Sequence, residues 1–174
     1  MKLKTISITV CLLLCSMVSM AGVWQYVDPR IGSEGVGRTF PGPSIAFGMC
    51  KPGPDCTVKP NAGWAKMPEV VTGFSQTHVS GTGGGQKYGN ILIQPGVTPQ
   101  KRKSEEFALG YYATTFENDI RTEITTSERC AFYRIHYPTN GLLLIDATHH
   151  LGKNPIPDQR EQQQFIGGAI EVVS

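Results

Sequence analysis

The sequence predicts an all-β fold, an antiparallel β-sandwich, on three observations. From Asn90 onward, short runs rich in β-branched and aromatic residues recur at the roughly 8–12-residue spacing of sandwich strands. Within one run Arg121, Glu123 and Thr125 alternate with Ile120, Thr122 and Ile124, the pattern of a strand buried on one face. No segment carries a helical period over three turns.

Taken in order, residues 1–21 open with Lys2 and Lys4, continue in an apolar run from Ile6 to Met20, and end with Ser19 and Ala21 at the −3 and −1 positions ahead of Gly22. This predicts a secretory signal peptide and an exported protein, periplasmic or secreted. The apolar run is shorter than the ~20 residues of a spanning helix, so no membrane span is expected. Leu12-Leu13-Leu14-Cys15 resembles a lipobox, but Leu14 stands where a small residue is required, and lipidation is not expected. Without Lys2 and Lys4 the 16 basic residues fall to the number of acidic ones, 14. A neutral chain lacking a basic stripe excludes nucleic acid and anionic membrane surfaces as partners. The one basic run, Lys101-Arg102-Lys103, reads as a solvated turn.

Residues 22–174 form the predicted domain. Its three cysteines are Cys50, Cys56 and Cys130. Cys50 and Cys56 flank a Pro-Gly-Pro turn and in an oxidising compartment either close a short disulfide loop or remain two free thiols. Over 22–90 glycines (Gly32, Gly35, Gly37, Gly42, Gly48, Gly53) alternate with prolines (Pro29, Pro41, Pro43, Pro52, Pro54), which predicts an irregular layer of turns with only short extended pieces. Trp24, Tyr26, Phe40, Phe47, Trp64 and Phe74 give it surface to pack. Strands are then expected at 91–94, 107–116, 119–126, 130–137, 141–147 and 165–173, with turns at Glu117-Asn118 and at Pro138-Thr139-Asn140-Gly141, the second a hairpin signal. The last run stops without a turn or polar tail, which predicts an incomplete sandwich truncated from a longer protein.

The stretch 72–90, Thr-Gly-Phe-Ser-Gln-Thr-His-Val-Ser-Gly-Thr-Gly-Gly-Gly-Gln-Lys-Tyr-Gly-Asn, is where chemistry is expected. Gly73, Gly81, Gly83, Gly84, Gly85 and Gly89 disfavour helix and strand alike. They read as a shaped loop that brings bare backbone, His78 and hydroxyls to a polyhydroxylated ligand. Gln86-Lys87-Tyr88 does not end a phosphate-binding loop, and no Gly-x-Gly-x-x-Gly can be placed, so nucleotide binding is excluded.

Gly-Phe-Ser-Gln-Thr-His-Val-Ser-Gly-Thr-Gly at 73–83, preceded by Val-Asp-Pro-Arg-Ile-Gly at 27–32 and by Thr-Phe-Pro-Gly-Pro and Phe-Gly-Met within 39–49, resembles the N-terminal domain of glycoside hydrolase family 92, the exo-acting α-mannosidases. The similarity runs from about Tyr26 to the last residue. It implies mannose-containing glycans as substrates. It also implies a missing C-terminal (α/α)6 catalytic domain, which would hold the catalytic acid and base and the calcium. No position here inherits a catalytic or metal-binding role. What carries over is lining of the sugar site, and this falls on Trp64, His78, Thr82, Gly83 and Gly84: His78 and Thr82 to hydrogen-bond sugar hydroxyls, Trp64 to lie against the sugar's apolar face. The residues agree on the missing chemistry, because glycoside hydrolysis usually needs two carboxyl groups and none stands between Glu69 and Glu105.

Other letters carry less. Adjacent His149-His150 beside Asp146 point to opposite faces of a strand and lack the spacing of a helical zinc pair. His136 alternates with Arg134 as a sheet residue. Ser75, Ser80, His78 and Asp55 contain the letters of a hydrolase triad, but no nucleophile elbow surrounds either serine. A stand-alone carbohydrate-binding sandwich and a functionless gene fragment are the alternatives to an enzyme's N-terminal domain.

Overall fold

The computed structural model describes residues 22–34, 37, 39–57, 62–79, 89–151 and 166–173. The segment 1–21, read as a signal peptide, lies outside them. After a single 3-10 turn at Val23–Tyr26 the described chain forms eight strands: β1 (Gly53–Cys56), β2 (Val71–Ser75), β3 (Asn90–Pro95), β4 (Arg102–Ala108), β5 (Tyr111–Phe116), β6 (Arg121–Thr126), β7 (Ala131–His136) and β8 (Leu143–His150). They make two four-stranded sheets, ordered β1-β2-β3-β8 and β4-β5-β6-β7, with every neighbouring pair antiparallel.

The second sheet is a meander built by local turns. Gly110 takes φ +71° between β4 and β5, a left-handed conformation free of the Cβ penalty. The run 107–116, expected as one strand, is therefore split into a hairpin, because Leu109-Gly110 reverses it. Glu117-Asn118 turns β5 into β6, with the Asn118 carboxamide accepting the Ile120 N–H. In β6 the alternation falls as the sequence requires: Thr122 and Ile124 are buried and Thr125 is exposed. Ile124 stands opposite Tyr112 on one side and Tyr133 on the other.

The first sheet departs further from expectation. β1 and β2 lie within the segment expected to be irregular, and Thr72 to Ser75, assigned by the sequence to the glycine loop, are strand. Gly73 belongs there because a Cβ would sit 2.7–2.9 Å from the Leu92 side chain of the neighbouring strand. Pro138 to Gly141 is no hairpin either: β7 and β8 lie in different sheets, so this stretch carries the chain across the sandwich. Among 166–173, expected as strand, no regular structure forms.

Side chains from both sheets meet in one core of Cys56, Ala65, Val71, Phe74, Tyr112, Phe116, Ile120 and Ile124. Phe74 of β2 is its hub. The ring is fully buried and lies with centroids 6.2, 6.3 and 6.4 Å from Tyr112, Phe116 and Tyr133 of the opposite sheet.

Cys50, Cys56 and Cys130 are free thiols. Gly53 and Pro54, expected to turn, instead enter β1 and carry Cys56 into the core, where its sulfur accepts the Ala65 N–H at 3.2 Å. The Cys50 thiol donates to the Arg129 carbonyl at 3.1 Å. Burial pushes the Cys56 thiol up to about 11. Maleimide treatment of the native protein, followed by peptide mapping, is expected to label Cys130 first, Cys50 more slowly and Cys56 only after denaturation. Rapid native labelling of Cys56, or a tryptic peptide pair linking Cys50 to Cys56, would contradict this placement.

Candidate functional site

Antiparallel pairing of β1 with β2 sets Gly53 opposite Ser75 and Asp55 opposite Gly73. Past the end of β2, Thr77 makes a parallel bridge with Lys51, so the chain leading into the glycine loop doubles back along β1 and brings His78 to Asp55. The Asp55 side chain is fully buried and accepts from three directions. Ser75 donates its hydroxyl to Oδ2. His78 Nε2 lies 2.6 Å from Oδ1, and His149 Nε2, from β8, lies 3.0 Å from Oδ2.

The other nitrogen of His78, Nδ1, is 2.9 Å from the Lys51 carbonyl. Both ring nitrogens thus lie within hydrogen-bond distance of oxygen atoms. Phe40 stacks on it at 4.7 Å and 14°. Burial alone would push the Asp55 carboxyl up, but the charge of His78 and the hydrogen bonds from His149, His78 and Ser75 outweigh it and hold this acid well below the usual carboxylate range. Such proximity needs a residue without a side chain at 63: Gly63 takes φ +88°, and a Cβ there would meet Asp55 Oδ1 at 2.5 Å and His78 Nε2 at 3.1 Å.

This is a closed arrangement. Ser75 donates to the carboxylate rather than to an imidazole, so the nucleophile–base hydrogen bond of acyl-transfer enzymes is absent. Its effect is on where the chain enters and leaves the glycine run. His78 precedes the glycine run, and the strand ends that receive the chain afterwards are fastened nearby: Gln76 N–H donates to the Asn90 carbonyl at 3.0 Å and Leu151 N–H to the Gly89 carbonyl at 2.7 Å. The loop leaves and returns between fixed points. Thr82, Gly83 and Gly84, expected to line a sugar site, lie outside the described residues.

One peptide beyond Gly63, Trp64 enters a second buried network. Its indole N–H donates to Glu105 Oε1 at 3.2 Å, and its ring meets Phe107 edge-on at 5.8 Å. The same Oε1 accepts from Arg102 Nη1 at 2.5 Å and from the Tyr112 hydroxyl at 2.7 Å. Arg102 spends further donors on the carbonyls of Ala65 (2.6 Å) and Glu69 (2.8 Å). The solvated turn expected at 101–103 is thus corrected: Arg102 opens β4 with a guanidinium that is fully buried. Burial disfavours its charge, but Glu105 more than compensates and its pKa is raised.

Trp64, at 4 % exposure, and His78, at 2 %, are therefore both interior side chains whose polar atoms are engaged. Asp146 accepts from the Thr148 N–H and hydroxyl, while the His149 ring turns to Asp55. Sequence reasoning missed Asp55 and Glu105 as organising groups. The only signal for Asp55 was its presence among the triad letters, and Glu105 had none.

Residues 26–174 match the family model for the glycosyl hydrolase family 92 N-terminal domain. The chain belongs to glycoside hydrolase family 92. A relative by sequence, from Arthroderma benhamiae, bears the name "uncharacterized secreted glycosidase" and is 32 % identical over 152 residues, 72 % of this chain and 20 % of that protein. Two solved family 92 structures share the fold. The glycosyl hydrolase ccman5 superposes with a TM-score of 0.67 at 21 % identity, over 74 % of this chain and 21 % of its own. An inverting mannosidase from Bacteroides thetaiotaomicron gives 0.58 at 20 % identity, over 73 % and 19 %. This chain spans about a fifth of the length of these relatives.

Proposed function

We propose that this family 92 domain forms one wall of the sugar site of an exported α-mannosidase acting on mannose-containing glycans. The observation that carries the reading is the fastening of the chain on both sides of the glycine loop, by Asp55 with His78 before it and by the Leu151–Gly89 and Gln76–Asn90 bonds after it. A loop so held offers the backbone of Gly83 and Gly84 and the Thr82 hydroxyl to a sugar. His78 and Trp64 serve it from behind, His78 by anchoring the loop and Trp64 by fixing the wall next to it.

Calcium, which the family resemblance implies, does not fit the described residues. No group of three or more His, Cys, Asp or Glu side chains converges among them. Among the described residues the one fully buried carboxylate, Asp55, already has both oxygens occupied by Ser75, His78 and His149. The ion and the catalytic carboxyl pair belong to the portion of the enzyme outside this chain, and exported, calcium-dependent hydrolysis of glycans is the activity of the whole. No helix among the described residues is long and apolar enough to cross a membrane.

Titrating the 15N-labelled chain with methyl α-mannopyranoside is expected to move the backbone amides of residues 81–85. The same chain, given an aryl α-mannoside or mannobiose with calcium, is expected to show no sustained turnover. Stationary loop amides would overturn the sugar-wall reading, and turnover abolished by replacing a carboxylate of this chain would overturn the assignment of the catalytic pair elsewhere.

A further inference from the structure

A cavity of about 310 Å³ opens between strand β4 and the end of the 3-10 turn with the segment after it, bounded by Tyr26, Asp28, Arg30, Glu105 and Phe107 among others. Nothing in the glycine-loop reading uses it, although two of its walls come from the Val-Asp-Pro-Arg-Ile-Gly motif. The motif has a local physical logic. Asp28 accepts the Arg30 backbone N–H at 2.9 Å and grips the guanidinium through both carboxylate oxygens, at 2.9 and 2.8 Å. The guanidinium carbon then stands 5.5 Å from the Phe107 ring centroid. Arg30 is held at the rim by its own neighbour.

Glu105 supplies the complementary group. Its side chain is only 6 % exposed. Oε1 is taken by Trp64, Arg102 and Tyr112, whereas Oε2 has no donor among the described residues. That oxygen is not among the buried atoms left without a partner, and its residue lines the cavity, so it is an acceptor open to an incoming hydroxyl. Charge decides the class of ligand. Asp28 is balanced by Arg30 and Glu105 by Arg102, so the site has no net charge with which to hold an ion. It offers an acceptor at Glu105, guanidinium donors at Arg30 and the largely exposed ring of Tyr26, at 80 %. Hydroxyl groups that both donate and accept, on a ring with an apolar face, meet all three demands, and the volume lies at the small end of ligand pockets, roughly 300–1,000 Å³.

We propose that this cavity is a second binding site for a neutral hydroxylated ligand, one sugar unit in size, separate from the glycine loop. Glu105 Oε2 accepts a ligand hydroxyl, Arg30 donates to a ligand oxygen, and Tyr26 covers the apolar face. The proposal stands on the cavity and does not require the loop reading to be correct.

The chain has two tryptophans, and this makes the test direct. The Trp64 indole N–H is bonded to the same carboxylate that would receive the ligand, while Trp24 does not line the cavity. In the 15N-labelled 174-residue chain, methyl α-mannopyranoside is expected to shift the Trp64 indole resonance saturably and leave that of Trp24 in place, whether or not the amides of 81–85 respond. Tyr26→Ala, at an exposed position, is expected to keep the fold and weaken this response about tenfold, the loss of one aromatic contact. Glu105→Gln, which turns the cavity-facing acceptor into an amide donor, is expected to abolish it. If that variant fails to fold, the Tyr26→Ala titration decides alone. A stationary Trp64 signal, a shift unchanged in Tyr26→Ala, or stronger binding of sodium glucuronate than of the neutral glycoside would overturn the proposal.

Discussion

Replacing Asp55 with alanine is expected to lower the stability of the domain by about 3–5 kcal/mol, the cost of removing one partner from a buried ionic cluster. The carboxylate is wholly buried and receives Ser75, His78 and His149. Its loss strands a hydroxyl and two imidazole nitrogens in the interior, one of them on a ring still fixed by Lys51. Asp55→Asn is expected to be nearly as damaging, because the amide puts two N–H donors where an incoming donor must be accepted. Acid adds a second readout. The folded-state pKa of Asp55 lies below its unfolded value, which for aspartate is about 3.9. The stability this group contributes is therefore complete above that value and is lost as pH falls from it toward the lower folded-state pKa. Urea midpoints measured from pH 7 downward should show this acid step in the wild type and not in Asp55→Ala. An alanine variant with the wild-type midpoint at pH 7 would show that the cluster is not a structural clamp.

Phe74→Ala is expected to cost a similar amount, about 3–5 kcal/mol, by a different route: lost transfer free energy plus the cavity left when neighbours relax only partly. The side chain is 0 % exposed, and it is the ring through which the first sheet meets Tyr112, Phe116 and Tyr133 of the second. Phe132, 55 % exposed on β7, supplies the control, and its replacement by alanine should shift the urea midpoint little. Equal, small shifts for the two variants would mean that the sheets do not pack through Phe74.

Much of the second sheet was legible because its determinants are local. Alternation at 120–125 and the Glu117-Asn118 turn act over a few residues each, whereas the reversal at Gly110 lay unread inside a run expected as one strand. The first sheet was harder because its strands borrow their character from partners far along the chain. Gly73 looks like a loop residue until Leu92 is beside it, and Gly53 and Pro54 look like a turn until Phe74 and Ser75 pair with them. Arg102 read as solvent-exposed because its partners, Ala65, Glu69 and Glu105, are brought together only by folding. The candidate site divided along the same line. The glycine stretch and the family motifs were visible as letters, whereas the meeting of Asp55 with His78 and His149 depends on a return of the chain from β8, 94 residues after Asp55.

That return has a consequence for how the molecule comes into being. A ribosome delivers β1, β2 and β3 first, yet their sheet lacks its fourth strand until β8 has been made. The meander β4 to β7, whose contacts are short in sequence, emerges in between and has no such wait. Low contact order favours early folding, so the meander is the platform on which the earlier strands are collected. The bond from His149 to Asp55 then closes the older sheet with one of the newest residues, and until it forms the segment bearing the glycine loop has only part of its mooring.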